Sequence, residues 1–266
     1  MNRIDNMFAK CRAEGRKALI MFVSAGDPSL AFTRRLVPAL VEAGADLIEL
    51  GVPFSDPMAD GPTIQAASER ALAGGANLEG ILEMAEGLRR DCPETPMVLF
   101  SYYNVVLQYG VERLAAASAR LGIDGWLLVD VPPEEEGEVV PILEQHGLVK
   151  ISLLAPTTPP ERMAEILRRA KGFVYYITVA GVTGARLELP EDLAEHLAAV
   201  RERSPVPVAA GFGVSSPEQA RMVGGQADGV IVGSRLINVI QEAADEEGAL
   251  QKARELVRSL AAALAE

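Results

Sequence analysis

Short apolar runs rich in β-branched residues alternate along the chain with longer segments in which apolar residues recur at helical spacing. The short runs predict β-strands and the longer segments predict helices, the alternation expected of a parallel sheet. The predicted strands are Ala18–Ser24, Asp46–Val52, Met97–Tyr102, Gly125–Asp130, Leu148–Leu154, Phe173–Thr178, Val206–Ala210 and Asp228–Val232. Their spacing clusters near ~30 residues, the size of one βαβ unit.

No linker rich in proline, glycine or serine divides the chain, so residues 1–266 are predicted to form one domain. A length of 266 residues is close to the ~250 residues typical of a (β/α)₈ barrel. Eight units without a break therefore predict an α/β protein with a single (β/α)₈ TIM barrel. We also expect an extra N-terminal helix and short extra helices in the βα loops. A doubly wound open sheet is the alternative.

Composition indicates which class of partner and which cellular compartment to expect. The formal net charge is −12, and a protein that binds the nucleic-acid backbone needs a basic face, so nucleic acid is not an expected partner. The two cysteines, Cys11 and Cys92, lack metal-ligand spacing and are too few for a disulfide framework. The polar start does not resemble a signal peptide, and no apolar run is long enough for a membrane span. A reducing, cytoplasmic location is expected.

The second predicted strand carries an acid where apolar residues are expected. Alternation places Leu47, Glu49 and Gly51 on one face of this strand. Because both faces of a barrel strand are covered, Glu49 is expected to be buried, and an unpaired buried carboxylate is costly. Two interpretations stay open: a structural acid paired with another group, or a general acid/base with a raised pKa.

A second acid follows in the loop Pro53–Pro62, directly after this strand. Asp60 precedes Gly61-Pro62, so it could cap the next helix, and Asp56-Pro57 could be a simple turn. A carboxylate on the loop above Glu49 favours a functional pair at the C-terminal end of the barrel, where barrel enzymes place their chemistry.

Glycine-rich turns follow the last two predicted strands, in the segments 210–215 and 232–235. Gly213 in the first turn and Gly233-Ser234 in the second allow backbone N–H groups to close on an anion, and a helix start adds a favourable dipole. Barrel enzymes frequently hold phosphate in these two loops. The segment 180–184 after the sixth strand could supply a third wall or a lid. Ordinary tight turns are the alternative for each glycine pair.

Other chemistries have little support in the sequence. Lys150 is the single lysine on a predicted strand, near its start and away from the expected site, so a Schiff base is not favoured. His146 and His196 fall on separate helices and offer no metal-ligand set. No nucleophile with an adjacent base and no dinucleotide fingerprint stands out. What is left is carboxylate acid/base chemistry on a phosphorylated substrate that itself stabilises the developing charge.

The segments just described resemble the tryptophan synthase α subunit family over essentially the whole chain. The longest matching motif runs from Glu49 to Gln65 and includes both acids. The other matching motifs run in order along the chain: Ala25-Gly26-Asp27-Pro28, Ser101-Tyr102-Tyr103-Asn104, Asp130-Val131-Pro132, Gly181-Val182-Thr183-Gly184 and Gly211-Phe212-Gly213.

The resemblance implies cleavage of indole-3-glycerol phosphate into indole and glyceraldehyde 3-phosphate. It implies that Glu49 moves a proton at C3 of the indole ring and that Asp60 hydrogen-bonds the ring N–H. It also implies a substrate site with an indole pocket and a phosphate site. The substrate-binding residues implied are Phe22, Tyr102, Tyr175, Thr183, Gly184, Phe212, Gly213, Gly233 and Ser234.

By the same resemblance, the chain has a protein partner, the β subunit, in an α₂β₂ complex. That partner carries pyridoxal phosphate and receives indole directly, whereas this chain binds no cofactor itself. The interface residues implied are Pro53, Phe54, Asp56, Asn104, Gln108 and Pro132.

Two positions depart from the family pattern. Val105 follows Asn104 where the family often has proline, and Val179 stands where several members have arginine.

Two alternatives to this function stay open. Another phosphosugar barrel, such as a ribulose-phosphate-binding isomerase or indole-glycerol-phosphate synthase, would share the glycine turns but not the motif around Glu49 and Asp60. A subunit that mainly activates its β partner would show little catalysis alone.

Overall fold

The computed structural model describes residues 2–177 and 191–265, and within them nine parallel strands form one sheet. The strands are β1 Ala18–Ser24, β2 Leu47–Gly51, β3 Met97–Ser101, β4 Gly125–Leu128, β5 Val149–Lys150, β6 Ser152–Leu154, β7 Val174–Ile177, β8 Val208–Gly211 and β9 Gly229–Val232. Every predicted strand is present. The fifth is divided into β5 and β6, which are separated only by Ile151.

The sheet closes into a barrel. The strand order is β5-β4-β3-β2-β1-β9-β8-β7-β6, so the two ends of the order are consecutive in the sequence. Between them, the amide of Ile151 donates a hydrogen bond to the carbonyl oxygen of Trp126 on β4, at 2.8 Å. The prediction of a TIM barrel is confirmed, and the open sheet is excluded.

Twelve α-helices occupy the described ranges: α1 Arg3–Ala13, α2 Leu30–Ala43, α3 Pro62–Ala73, α4 Leu78–Asp91, α5 Tyr103–Tyr109, α6 Val111–Leu121, α7 Val140–Gln145, α8 Pro160–Arg169, α9 Glu191–Arg203, α10 Pro217–Gln226, α11 Ser234–Gln241 and α12 Glu246–Leu264. A 3₁₀ helix spans Pro133–Glu138. The predicted extra N-terminal helix is α1, and the extra loop helices include α3, α5 and α11.

Alternation along the strands separates two apolar cores. One fills the barrel interior, and the larger one lies between the outer face of the sheet and the helices. Helix α1 closes the N-terminal end of the barrel with Ile4, Met7 and Phe8, and the rings of Phe8 and Phe173 lie 5.7 Å apart. The loops with the candidate residues begin at the opposite end of the barrel, after the C-terminal ends of the strands.

Candidate active site

Glu49 lies on β2 and faces the barrel interior. In the parallel register it pairs with Phe22 on β1 and Val98 on β3. Its side chain is 0% exposed, and neither carboxylate oxygen has a hydrogen-bond partner in the described residues. Burial without a partner disfavours the charged form and raises the pKa of Glu49 from 4.5 to about 8. The carboxyl therefore holds a proton at neutral pH, and no described residue supplies the partner of a structural ion pair.

Aromatic rings line the barrel on the C-terminal side of Glu49. A Cβ atom at Gly51 would lie 2.4 Å from Cζ of Phe22, so this ring covers the backbone of β2. The ring of Phe22 meets that of Phe100 edge-on, with centroids 5.0 Å apart. These contacts form an apolar wall directly beside the protonated carboxyl.

Three half-buried residues that were not predicted as site residues from the sequence pack against the interior core: Phe100, Val129 and Leu153. The period-two pattern holds a signal for them, because Phe100 lies two residues beyond the interior-facing Val98 on β3. The same alternation that singles out Glu49 on the second strand therefore predicts Phe100 on the third.

Asp60 reaches the site through a hydrogen bond from Tyr102, which follows β3. The hydroxyl of Tyr102 donates to Oδ2 of Asp60 at 2.9 Å and accepts from the amide of Ala59 at 3.0 Å. Burial raises the pKa of Asp60, and the hydrogen bond from Tyr102 opposes that rise. Helix α3 begins after Gly61 without a hydrogen bond from any capping side chain, so the alternative role of Asp60 as a helix cap is wrong.

Gln65 on α3 holds the same loop from its other side. Its amide nitrogen donates to the carbonyl oxygen of Asp60 at 2.9 Å and to that of Pro57 at 3.3 Å. Gln65 ends the motif that begins at Glu49, and no role was predicted for it from the sequence. Its contacts fix the backbone of the residue that carries the second carboxyl.

Tyr175 on β7 brings a phenol close to both acids. Burial raises the pKa of Tyr175 well above 10.0, and the carboxylates that Glu49 and Asp60 form at high pH raise it further. A Cβ atom at Gly211 on β8 would lie 3.2 Å from the Tyr175 hydroxyl. The phenol therefore stays neutral at physiological pH and can serve as a hydrogen-bond donor inside the barrel.

Phe212 takes a different position from the other candidate aromatics. It belongs to the outer core, and its ring stacks on that of Tyr176 with centroids 6.1 Å apart. The structure thus brings Phe22, Tyr102 and Tyr175 close to the acids, while the ring of Phe212 packs between the sheet and the helices.

The glycine turns after β8 and β9 have the expected backbone features. Gly213 has a φ of 63°, a left-handed conformation that favours glycine. Gly233 precedes α11, whose first residue is Ser234, and this helix start receives no hydrogen bond from a capping side group. A Cβ atom at Gly233 would lie 3.2 Å from Cβ of Phe22, which places this turn at the rim of the aromatic wall. Free N–H groups at a helix start favour an anion.

The expected third wall of this site includes Thr183 and Gly184. Both lie outside the described residues, as does the departure at Val179.

The candidate interface residues lie mainly on the loop after β2 and on helix α5. Pro53 is buried and Phe54 is half-buried, with its ring 5.1 Å from that of Tyr102. The exposed candidates are Asp56, Asn104, Gln108 and Pro132. Two large apolar side chains on the same segments are also exposed, Met58 on the loop at 85% and Leu107 on α5 at 55%. Both side chains are available to a partner that docks on these two segments.

The departure at Val105 leaves α5 intact. The amide of Val105 donates to the carbonyl oxygen of Tyr102 at 3.2 Å, a hydrogen bond that proline could not make. The valine therefore contributes a backbone hydrogen bond to the first turn of α5.

Two other kinds of site are absent from residues 2–177 and 191–265. No group of three or more His, Cys, Asp or Glu side chains is arranged to hold a metal ion there. None of the helices in these ranges is long and apolar enough to cross a membrane.

A family model described as tryptophan synthase alpha chain matches residues 8–265. The protein belongs to the tryptophan synthase alpha chain family. The relative from Geobacter sulfurreducens, an alpha chain, is 51% identical over 91% of each protein. The relative from Laribacter hongkongensis is also 51% identical, over 91% of this protein and 92% of the relative.

Solved structures agree with this assignment. The alpha subunit from Legionella pneumophila str. Paris superposes with a TM-score of 0.92 at 42% identity, over 99% of this protein and 98% of that one. A tryptophan synthase from Mycobacterium tuberculosis gives a TM-score of 0.91 at 38% identity, over 100% of this protein and 99% of that one. Members of the family are lyases of tryptophan biosynthesis and have a β-subunit partner, which carries the pyridoxal phosphate, so no cofactor is expected in this protein.

Proposed function

We propose that this protein cleaves indole-3-glycerol phosphate into indole and glyceraldehyde 3-phosphate by a retro-aldol reaction. The observation that carries the proposal is the carboxyl of Glu49, which is fully buried, has no partner among the described residues and has a pKa raised to about 8. An acid that is protonated at neutral pH and buried among apolar side chains is suited to deliver a proton to carbon.

The proton moves in a balanced cycle. Glu49 protonates C3 of the indole ring, which gives an iminium at the ring nitrogen. The bond that joins C3 to the glycerol phosphate moiety then breaks, and its electron pair restores the aromatic ring. As the aldehyde forms, the carboxylate of Glu49 accepts the proton of the adjacent hydroxyl and returns to its starting state. The substrate accepts the electrons, so no lysine or metal is needed in these steps.

Asp60 stabilises the charge that develops on the ring nitrogen. Its carboxylate accepts a hydrogen bond from the ring N–H, and Tyr102 keeps it oriented through the 2.9 Å contact. An oriented charge partner of this kind contributes roughly 3 kcal/mol to a reaction barrier. The neutral phenol of Tyr175 lies near both acids and completes the polar side of the cavity.

The two ends of the substrate occupy different walls. The indole ring lies against Phe22 and the neighbouring aromatic residues, because apolar side groups surround Glu49. The phosphate binds the turns at Gly213 and Gly233-Ser234, where an uncapped helix start offers N–H groups. Thr183, Gly184 and Phe212 are assigned to substrate binding by the family pattern alone.

Indole then passes to the β subunit within an α₂β₂ complex in the cytoplasm. The exposed Met58 on the loop after β2 and the exposed Leu107 on α5 support a partner surface at the C-terminal end of the barrel. The interface we assign comprises Pro53, Phe54, Asp56, Asn104, Gln108 and Pro132.

An assay of indole release from indole-3-glycerol phosphate tests the proposal. We expect Glu49→Gln to remove nearly all turnover while substrate binding survives, because glutamine has the same shape but no acidic proton. We expect Asp60→Asn to lower kcat, and Gly213→Val to raise KM because its φ is left-handed. Full activity of Glu49→Gln would refute the mechanism. An unchanged KM in Gly213→Val would move the phosphate site elsewhere.

A further inference from the structure

A cavity lies on the outside of the barrel, between α7 and α8. Its volume is about 360 Å³, and β5 forms its floor. The parallel register pairs Lys150 on β5 with Trp126 on β4, which belongs to the outer core. Lys150 therefore points away from the interior, and the barrel wall separates this cavity from Glu49.

The floor of the cavity holds a buried cation with spare hydrogen-bonding capacity. The Lys150 side chain is 7% exposed, and its ammonium pairs with Glu136, whose side chain is 9% exposed. An ammonium group has three N–H donors. Glu136 is the one partner of this ammonium in the described ranges, so the remaining donors face the cavity. Buried donors without acceptors are costly, and such a group favours an additional acceptor.

The rim of the cavity adds a second available cation. Arg168 lines it and makes no ion pair or hydrogen bond in the described part of the molecule. The neighbouring cations are already engaged, Arg169 with Glu165 and Lys171 with Glu144. A protein of net charge −12 thus has a cavity where cations outnumber acids.

The walls between floor and rim are apolar. They are formed by Val140, Pro141, Leu143, Leu148 and Ala170. A volume of about 360 Å³ is at the small end of the range for ligand pockets. The ligand that fits these features is small, has one negative group and has an apolar body.

We propose that this cavity is a binding site for a small organic carboxylate. The carboxylate accepts hydrogen bonds from Lys150 and Arg168, and the apolar body packs against Val140, Leu143 and Leu148. Inorganic phosphate is a poorer match, because it carries more charge and leaves the apolar walls uncovered. The proposal is independent of the catalytic function proposed above.

Calorimetric titration of the full-length protein with two matched probes tests this site. The probes are 4-phenylbutyrate and its neutral amide, 4-phenylbutanamide, which share one apolar body. We expect the acid to bind one site at least about tenfold more tightly than the amide, because charge-assisted hydrogen bonds are stronger than neutral ones. Equal affinities, or no binding of the acid, would overturn the proposal. Inorganic phosphate binding as tightly as the acid would also overturn it.

A substitution at the rim tests whether the acid binds in this cavity. Arg168→Gln should weaken the acid about tenfold and leave the amide unchanged, since it removes a charged donor. Arg258→Gln is the matched control, an exposed arginine of α12 outside the cavity. The same affinity for the acid in both variants would refute the assignment.

The buried pair is tested by the double variant Lys150→Met/Glu136→Gln, which leaves no unpaired buried charge. Provided its melting curve matches that of the wild type, the acid should lose its advantage over the amide. A folded double variant that still prefers the acid would refute the role of Lys150. The Arg168 comparison stays decisive if the double variant does not fold.

Discussion

Replacing Glu49 by glutamine should make the stability of the protein less sensitive to pH. Burial raises the pKa of Glu49 from 4.5 to about 8 in the folded state. At a pH between these two pKa values, the folded protein holds a proton on Glu49 that the unfolded state has released. The free energy of unfolding therefore falls as the pH rises. The stabilising contribution is fully present below pH 4.5 and is lost as the pH rises through about 8. Glutamine has no proton to lose in this window.

The size of the effect follows from the gap between the two pKa values. A gap of about 3.5 at 1.36 kcal/mol per pH unit gives on the order of 5 kcal/mol over the whole window. For a protein of this length each kcal/mol moves the melting temperature by roughly 2–4 °C. Between pH 5 and pH 9 about three of these pH units contribute, or roughly 4 kcal/mol, so Glu49→Gln should gain roughly 8–16 °C on the wild type over this range.

Thermal and urea unfolding of the two proteins over this range measure the difference. Glu83→Gln is the matched control, because Glu83 is an exposed residue on α4. The control should follow the wild type, whereas the curve of Glu49→Gln should diverge upward with pH. Parallel curves for wild type and Glu49→Gln would show that the carboxyl titrates normally in the folded state, and the proposed proton donor would lose its physical basis.

Three further substitutions test contacts around the site. Tyr102→Phe removes the hydrogen bond that lowers the pKa of Asp60, so the acid limb of the kcat–pH profile should move to higher pH. An unmoved acid limb would contradict the role of Tyr102 in setting this pKa. Gln65→Leu removes the donor to two loop carbonyl oxygens and should misplace Asp60, which should lower kcat/KM by roughly 10²-fold in steady-state assays. Unchanged kinetics would exclude a positioning role for Gln65. Gly51→Ala puts a methyl carbon 2.4 Å from a phenylalanine ring of β1 and should lower the free energy of unfolding by about 1–3 kcal/mol in urea titrations. Gly225→Ala has open space around the added carbon, and an equal loss in both variants would refute the steric argument.

The strands could be predicted because their pattern is local. Each buried run of β-branched residues carries its own signal, and all eight runs contain a strand. The division of the fifth run at Ile151 could not be predicted, because it depends on pairing with both neighbours. There β5 pairs with β4, and β6 pairs with β7.

Part of the candidate site could also be predicted from the local sequence pattern. Glu49 stands out as an acid within an apolar strand, and Asp60 as a second acid on the following loop. The hydrogen bond between Tyr102 and Asp60 joins residues 42 positions apart, and no local pattern indicates it. The outward position of Phe212 likewise depends on which face of the sheet it packs against.

The sequence by itself determined the order and type of the strands, the parallel arrangement of the sheet and the two candidate acids, whereas closure of the sheet into a barrel was decided by the tertiary structure. Only the tertiary structure decided that Glu49 has no partner among the described residues, that its pKa is raised to about 8, and that Asp60 is held by Tyr102 and Gln65. The reason is physical. Hydrophobic periodicity is a property of neighbours in the sequence, whereas desolvation and hydrogen bonding depend on every group that folding brings within reach.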